Sequence, residues 1–150
     1  MRPIQHGIEF HSDLAPNLPF IYAHPGQIEH VFLNLIHNAE RALAEMTRRI
    51  EAGNVQRPDY QKRLTISTRR GDEGEHVVAT VHDNGCGIPP AAQAQLFRPF
   101  FTTKAFGEGT GLGLTISHSI VQEFNGEINV ESTENVGTTF ILRFPSAEAI

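Results

Sequence analysis

The chain has no tryptophan, one cysteine in 150 residues and no surplus of positive charge. A lone thiol, Cys86, excludes an internal disulfide and any zinc site built from several thiolates, and it suits a reducing compartment. Twelve Lys and Arg against seventeen Asp and Glu leave a net charge of -5, so there is no general attraction to nucleic acid or to an anionic membrane surface. A polyanionic ligand must therefore be held locally. No apolar run approaches the length of a membrane span, and Met1 to Gly7 has no signal-type hydrophobic stretch, so the expected setting is cytoplasmic without direct membrane contact. The scattered histidines lack metal-ligand spacing, and no transition-metal site is expected.

What remains is the make-up of one globular domain covering 1–150: 39% hydrophobic residues, 13 glycines, 9 prolines, no internal repeat and no low-complexity tract. A long helix is expected from Pro25, after a His24 cap, to about Ala52. Ile28, Val31, Phe32, Leu35, Ala39, Ala42, Leu43 and Met46 form its buried stripe. Gly7 to His11 and Phe20 to Ala23 read as short strands around Pro16-Asn17-Leu18-Pro19. Residues Gly53 to Lys62 read as a polar connection with little structure of its own. Leu64–Arg69 with His76–His82, and Glu127–Ser132 with Thr138–Phe144, read as two hairpins. A second helix is expected from about Leu112 to Phe124, closed by Asn125-Gly126. Hairpins rather than βαβ crossovers predict an α+β fold: a two-layer α/β sandwich whose mixed, mostly antiparallel sheet carries helices on one face.

Four segments carry chemistry. On the long helix, at about 100° per residue, His30, Asn34, His37, Asn38 and Arg41 fall within roughly 100° of one another, away from the apolar stripe. An amide oxygen is a neutral hard ligand suited to a magnesium ion that keeps its waters and phosphates, and Arg41 one turn on would meet phosphate charge. Asp83-Asn84-Gly85-Cys86-Gly87-Ile88 sets a carboxylate at a strand end with two glycines behind it, an acceptor for an exocyclic amine. Leu96-Phe97-Arg98-Pro99-Phe100-Phe101-Thr102-Thr103-Lys104 follows. Then Gly107-Glu108-Gly109-Thr110-Gly111-Leu112-Gly113 leads into a helix start, where free N–H groups and the helix dipole favour phosphate. Taken singly, these also read as a solvated helix face, an Asn-Gly turn, core phenylalanines and a flexible connection.

In this order, the asparagine helix, the DxGxG turn, the FxPFF segment and the GxGxGxG helix start resemble the N, G1, F and G2 boxes of the ATP-binding domain of bacterial sensor histidine kinases, of the GHKL superfamily. Phe100 to Lys104, Gly109 to Leu114 and Gly137-Thr138-Thr139-Phe140 resemble most the nitrogen-regulation and dicarboxylate-sensing kinases. The likeness runs from about Gly7 to Pro145.

That resemblance implies ATP and Mg2+ as ligands. Asn38 would ligate magnesium, Asn34 would line the phosphate pocket, and Arg41 would stand where many relatives carry a phosphate-contacting lysine. Asp83 would accept from the adenine amino group, Gly85 and Gly87 would make room for the base, Ile88 would pack on it, and Thr139 would support Asp83. Gly109, Thr110, Gly111, Leu112 and Gly113 would present backbone to the phosphates, with Lys104 an additional cation. Relatives that hydrolyse ATP, such as gyrase, MutL and Hsp90, carry a glutamate four residues before the metal-binding asparagine. Here that position is Asn34, which cannot take a proton at neutral pH. The implied role is a kinase domain that passes phosphate to a histidine on an upstream helical dimerisation domain, and through it to a response regulator. None of the eight histidines has the context of that phosphoacceptor. The isolated domain is expected to be a monomer that does not autophosphorylate. The alternative of the same fold is a stand-alone regulatory module akin to anti-sigma-factor kinases, which usually lack the FFTTK segment.

Overall fold

A computed structural model of the chain describes residues 7–72, 75–98 and 113–149. Its longest element is α1, Pro25–Glu51. Pro25 occupies the first turn, where a missing N–H costs no helical hydrogen bond, and the Gly26 N–H donates to His24 Nδ1 at 3.1 Å. At the other end Gly53 turns the chain with φ +82°, and Arg48 and Arg49 lie in the last turn, where the helix dipole favours cations. The buried stripe of α1 is Val31, Leu35, Ala39, Ala42, Leu43 and Met46, with Ile28 and Phe32 half-buried at its margin.

Five strands form one sheet: β1 Glu9–Leu14, β2 Arg63–Arg70, β3 His76–Asp83, β4 Glu127–Thr133 and β5 Gly137–Pro145, in the order β1-β2-β3-β5-β4. The β2/β3 and β4/β5 hairpins pair antiparallel, and β3 pairs antiparallel with β5 at the centre. Alternation sends Leu64, Val77, Ala79, Val81, Ile128, Phe140, Leu142 and Phe144 to one face. There α1 and α3, Gly113–Glu123, close over them through Val31, Leu35, Ile120 and Val121. The result is the two-layer α+β sandwich. Leu35, Leu43, Met46, Ile88 and Leu142 are all under 2% exposed. Each such side chain contributes about 1.5–3 kcal/mol by leaving water.

Two local expectations are corrected. Strand β1 pairs parallel with β2, Glu9 opposite Arg63 and Leu14 opposite Thr68, so α1 is a crossover between them and the chain does contain a βαβ unit. Phe20–Ala23 is not a strand. After β1 the Ala15 N–H donates to the Thr68 carbonyl, Asn17 takes φ +58°, and the Phe20 carbonyl accepts from Ala147 N–H at 2.7 Å. The segment therefore runs past the ends of the strands to Ala147, just beyond β5, instead of pairing alongside β1. Its apparent alternation comes from Ile21 packing on the core while Phe20 and Tyr22 face solvent.

Two short helices had no apolar period to announce them: α2, Pro90–Gln93, begun by its own proline, and a 3-10 turn at Ala147–Ala149. Helix α3 ends as its sequence suggests. Asn125 takes φ +62° and the Gly126 N–H returns to the Val121 carbonyl at 2.9 Å.

Candidate functional site

The polar face of α1 meets the start of α3. Asn34 is half-buried, and its Nδ2 donates to the Gly113 carbonyl at 3.3 Å and to Ser117 Oγ at 3.1 Å. Residues from the first and last of the four sequence segments are thus joined directly. Asn38, one turn on, is also half-buried, with no side-chain hydrogen bond among the described residues; Arg41, His30 and His37 are exposed. Lys104, Gly109, Thr110, Gly111 and Leu112 lie outside the described residues, whereas Gly113 opens α3. At the near end of that stretch, the Thr115 hydroxyl donates to the Phe97 carbonyl at 3.0 Å. The Phe97 ring stacks on His118 with centroids 5.0 Å apart.

Asp83 ends β3 with its side chain on the helix-covered face, 3% exposed. Its Oδ1 accepts from the Gly85 N–H at 2.8 Å. Burial pushes this carboxyl up to about 7, and the Gly85 hydrogen bond pulls back only part of that rise. A buried carboxylate with one oxygen so lightly engaged is an acceptor held ready for a donor.

The loop after Asp83 is clamped between α1 and the β4/β5 turn. Cys86 N–H donates to the Ala42 carbonyl at 3.0 Å, and Asn135 N–H donates to the Cys86 carbonyl at 2.6 Å. Arg49 reaches Asn135 Oδ1 at 2.8 Å and Arg57 its carbonyl at 3.3 Å. The structure gives the two glycines a nearer reason than room for a base. A Cβ at Gly85 would stand 2.6 Å from the Ala42 carbonyl carbon of α1. One at Gly87 would stand 2.2 Å from the Thr133 carbonyl oxygen. Cys86 is fully buried with Ala42 and Met46, and burial pushes its thiol to about 11, so it is packing rather than a nucleophile. Ile88 is 1% exposed within the main core.

Thr139 is on the wrong face to support Asp83. It pairs with His82 across β3/β5, and its hydroxyl lies 2.7 Å from His82 Nδ1 on the opposite side of the sheet. The residue opposite Asp83 is Thr138, 3% exposed, which shares a hydrogen bond with Ser132 at 2.8 Å. Ser132 Oγ also accepts from the Ile88 N–H at 2.8 Å. A one-residue displacement along a strand reverses the face. The signal was present in the sequence, because Thr138 shares its parity with the buried Phe140, Leu142 and Phe144.

The connection 53–62 contains no helix or strand, yet it is pinned. Tyr60 packs on the Cys86 cluster, Arg57 sits over its ring, and its hydroxyl donates to the Asn84 carbonyl at 2.9 Å, next to Asp83. Burial, and then the nearby Asp83 charge, hold the phenol protonated. Tyr60→Phe is expected to cost about 1 kcal/mol, the net worth of one hydrogen bond, measured as a shift in the urea midpoint with unchanged slope.

Residues 23–148 match the family described as Histidine kinase-, DNA gyrase B-, and HSP90-like ATPase. The chain belongs to this family. Over 138 residues, 92% of the chain, it is 33% identical to sporulation kinase E of Bacillus subtilis. Over 134 residues, 89% of the chain, it is 36% identical to the sensory histidine kinase/phosphatase NtrB of Rhizobium leguminosarum. It spans 16% of the first protein's length and 34% of the second's. Among solved structures, the nucleotide-free catalytic domain of the histidine kinase ThkA superposes with a TM-score of 0.68 at 28% identity, over 93% of this chain and 80% of that one. Full-length ShkA in complex with AMPPNP superposes with a TM-score of 0.71 at 26% identity, over 94% of this chain and 26% of that one.

For a histidine-kinase-like ATPase domain, the donors on α1 fit magnesium. Among the described residues, Asn38 offers an amide with no competing hydrogen bond, and Asn34 Oδ1 has no hydrogen bond because the nitrogen carries both contacts of that side chain. No group of three or more His, Cys, Asp or Glu side chains converges among the described residues. Such a donor set suits an ion that arrives with phosphate oxygens and retains waters, not one caged by carboxylates. No helix among the described residues is long and apolar enough to cross a membrane.

Proposed function

We propose that this chain binds Mg-ATP and presents the γ-phosphate to a histidine of a separate helical phosphoacceptor domain, from which it reaches a response regulator. The observation that carries the reading is the contact of Asn34 with Gly113, because it sets the amide face of α1 beside the end of the glycine-rich segment. One relative is named as a sporulation kinase and the other as a sensory histidine kinase/phosphatase, which supports the same reading.

In this reading Asp83 accepts from the adenine amino group, Thr138 stands beside it, and Ile88 closes the apolar side. The Gly113 end of the glycine segment and the helix dipole of α3 face the phosphates, with Arg41 available for their charge. Gly109, Thr110, Gly111, Leu112 and Lys104 are assigned here by resemblance to the same phosphate-facing segment. Asn38, with Asn34 beside it, would hold magnesium, which when bound neutralises phosphate charge and orients the transferring group. Asn34 cannot act as a base, and its NH2 is already committed to two acceptors, so no side chain at that position activates water. Direct hydrolysis is disfavoured, which leaves the phosphoryl group for the acceptor histidine. That histidine, the dimer it belongs to and the response regulator are supplied by other segments or chains, while this domain is a monomer working at the cytoplasmic side.

Incubating the chain with radiolabelled ATP and magnesium is expected to leave the chain itself unlabelled. Adding a helical phosphoacceptor domain is expected to place label on that domain as an acid-labile, base-stable phosphohistidine. Label on the isolated chain, or none on the acceptor domains of NtrB-type kinases, would count against the reading. Asn38→Asp sets a carboxylate against the phosphates, and about 1.4 kcal/mol of repulsion gives a ten-fold loss of ATP affinity and an altered magnesium dependence. If both stay as in the unaltered chain, Asn38 is not in the site.

A further inference from the structure

We propose that Ser117 is a positioning residue for the phosphate side of the site: with the Gly113 carbonyl it fixes the Asn34 amide so that Oδ1, and not the nitrogen, is turned to the ligand. The proposal rests on the reading of Asn34 as part of the phosphate site. Ser117 is fully buried on a helix whose other buried side chains, Ile120 and Val121, are apolar. A hydroxyl in that position is destabilising unless it is hydrogen-bonded. Its bonding partner from α1 is Asn34 Nδ2 at 3.1 Å.

The geometry decides which way the amide faces. Asn34 Nδ2 carries two hydrogens and has two acceptors, Ser117 Oγ and the Gly113 carbonyl at 3.3 Å, one helical turn apart on α3. A carbonyl oxygen only accepts, so a flipped amide would set two acceptors face to face at Gly113, while the Ser117 hydroxyl holds the nitrogen side in place as its second acceptor. Oδ1 is thereby left without a hydrogen bond among the described residues, on a side chain that is half-buried. An amide nitrogen has no lone pair to offer a cation, so the orientation separates a competent donor from an incompetent one. Ser117 itself touches neither nucleotide nor metal in this arrangement. It acts through Asn34.

Two readouts test this on the full chain. The first is solvent exchange of the Asn34 side-chain NH2 protons, followed by NMR. The second is affinity for ATP with magnesium and for ADP in EDTA. Ser117→Ala is expected to speed the exchange about ten-fold and to weaken Mg-ATP binding five- to ten-fold, with ADP in EDTA within two-fold of the unaltered chain. Ser117→Thr, which keeps the hydroxyl, is expected to restore both. Unchanged exchange in Ser117→Ala, or an equal loss of affinity with and without magnesium, would overturn the proposal, the second outcome marking a purely structural residue. Asn34→Ala separates the two levels. If it weakens Mg-ATP binding while Ser117→Ala does not, the role of Ser117 falls and the site stands. If neither has an effect on Mg-ATP binding, both fall.

Discussion

Asp83→Asn is expected to lower ATP affinity about a hundred-fold and to bring ATP and GTP to similar affinities in titration calorimetry. A hydrogen bond to a charged acceptor is worth about 1.5–3 kcal/mol, and a buried acceptor left facing the wrong donor pattern adds its own desolvation cost. Strong, equal binding of ATP and GTP by the unaltered chain would remove Asp83 from base recognition.

The same substitution is expected to stabilise the empty protein. The folded-state pKa of Asp83 is raised from 3.8 to about 7 because burial disfavours its charge. The folded state therefore binds more protons than the unfolded one between about pH 4 and pH 7, and stability falls as pH rises through that window. At 1.36 kcal/mol per pKa unit the carboxylate costs about 4 kcal/mol above pH 7. Asparagine retains an oxygen for the Gly85 N–H and carries no charge, so thermal unfolding at pH 8 should shift upward while the slope between pH 4 and 7 flattens. Nucleotide affinity runs the other way. The ionised carboxylate is the stronger acceptor for an amine, so ATP binding should strengthen, by at most about ten-fold, between pH 6 and pH 8. An affinity flat across that range would show that the ionised form is not the one that binds.

Gly87→Ala is expected to destabilise the chain by about 2–5 kcal/mol. Gly87 has φ +71°, a conformation that costs an L-residue about 1–2 kcal/mol, and its added Cβ would lie 2.2 Å from the Thr133 carbonyl oxygen. Overpacking of this kind adds about 1–3 kcal/mol, because the neighbour is backbone and cannot rotate away. In a chain of this length that is a fall of about 4–20 °C in the melting temperature, read by circular dichroism. A change under 3 °C would mean that the turn after β4 yields easily.

The long amphipathic helix, both antiparallel hairpins and the Asn-Gly stop after α3 were legible because each rests on a local rule: period, turn chemistry or cap. What was not legible depended on partners distant in sequence. The parallel pairing of β1 with β2 joins Glu9 to Arg63 across the whole of α1, and no local pattern announces it. Phe20–Ala23 alternates like a strand but lies where no neighbour offers a ladder. At the site, Asp83 and the asparagines were readable as residue types, whereas Ser117 was one more polar residue in a helix until Asn34 was found against it. Gly85 and Gly87 stand out in the sequence as a pair of turn glycines, but their neighbours are the protein's own Ala42 and Thr133.

Strand β1 has a further consequence for how force and motion pass through the molecule. It is one of the sheet's two edge strands, its side chains from Phe10 to Leu14 are all exposed, and it is held on one side only, by β2. Its pairing closes a long loop over α1, and the β3/β5 pairing closes another, but β1 alone has no hairpin partner, so it is the part expected to dock last and to open first. Whatever pulls on the chain ahead of residue 9 acts first on this one-sided pairing, a mechanical fuse that can part while the layer holding Asp83, Asn34 and Gly113 stays assembled.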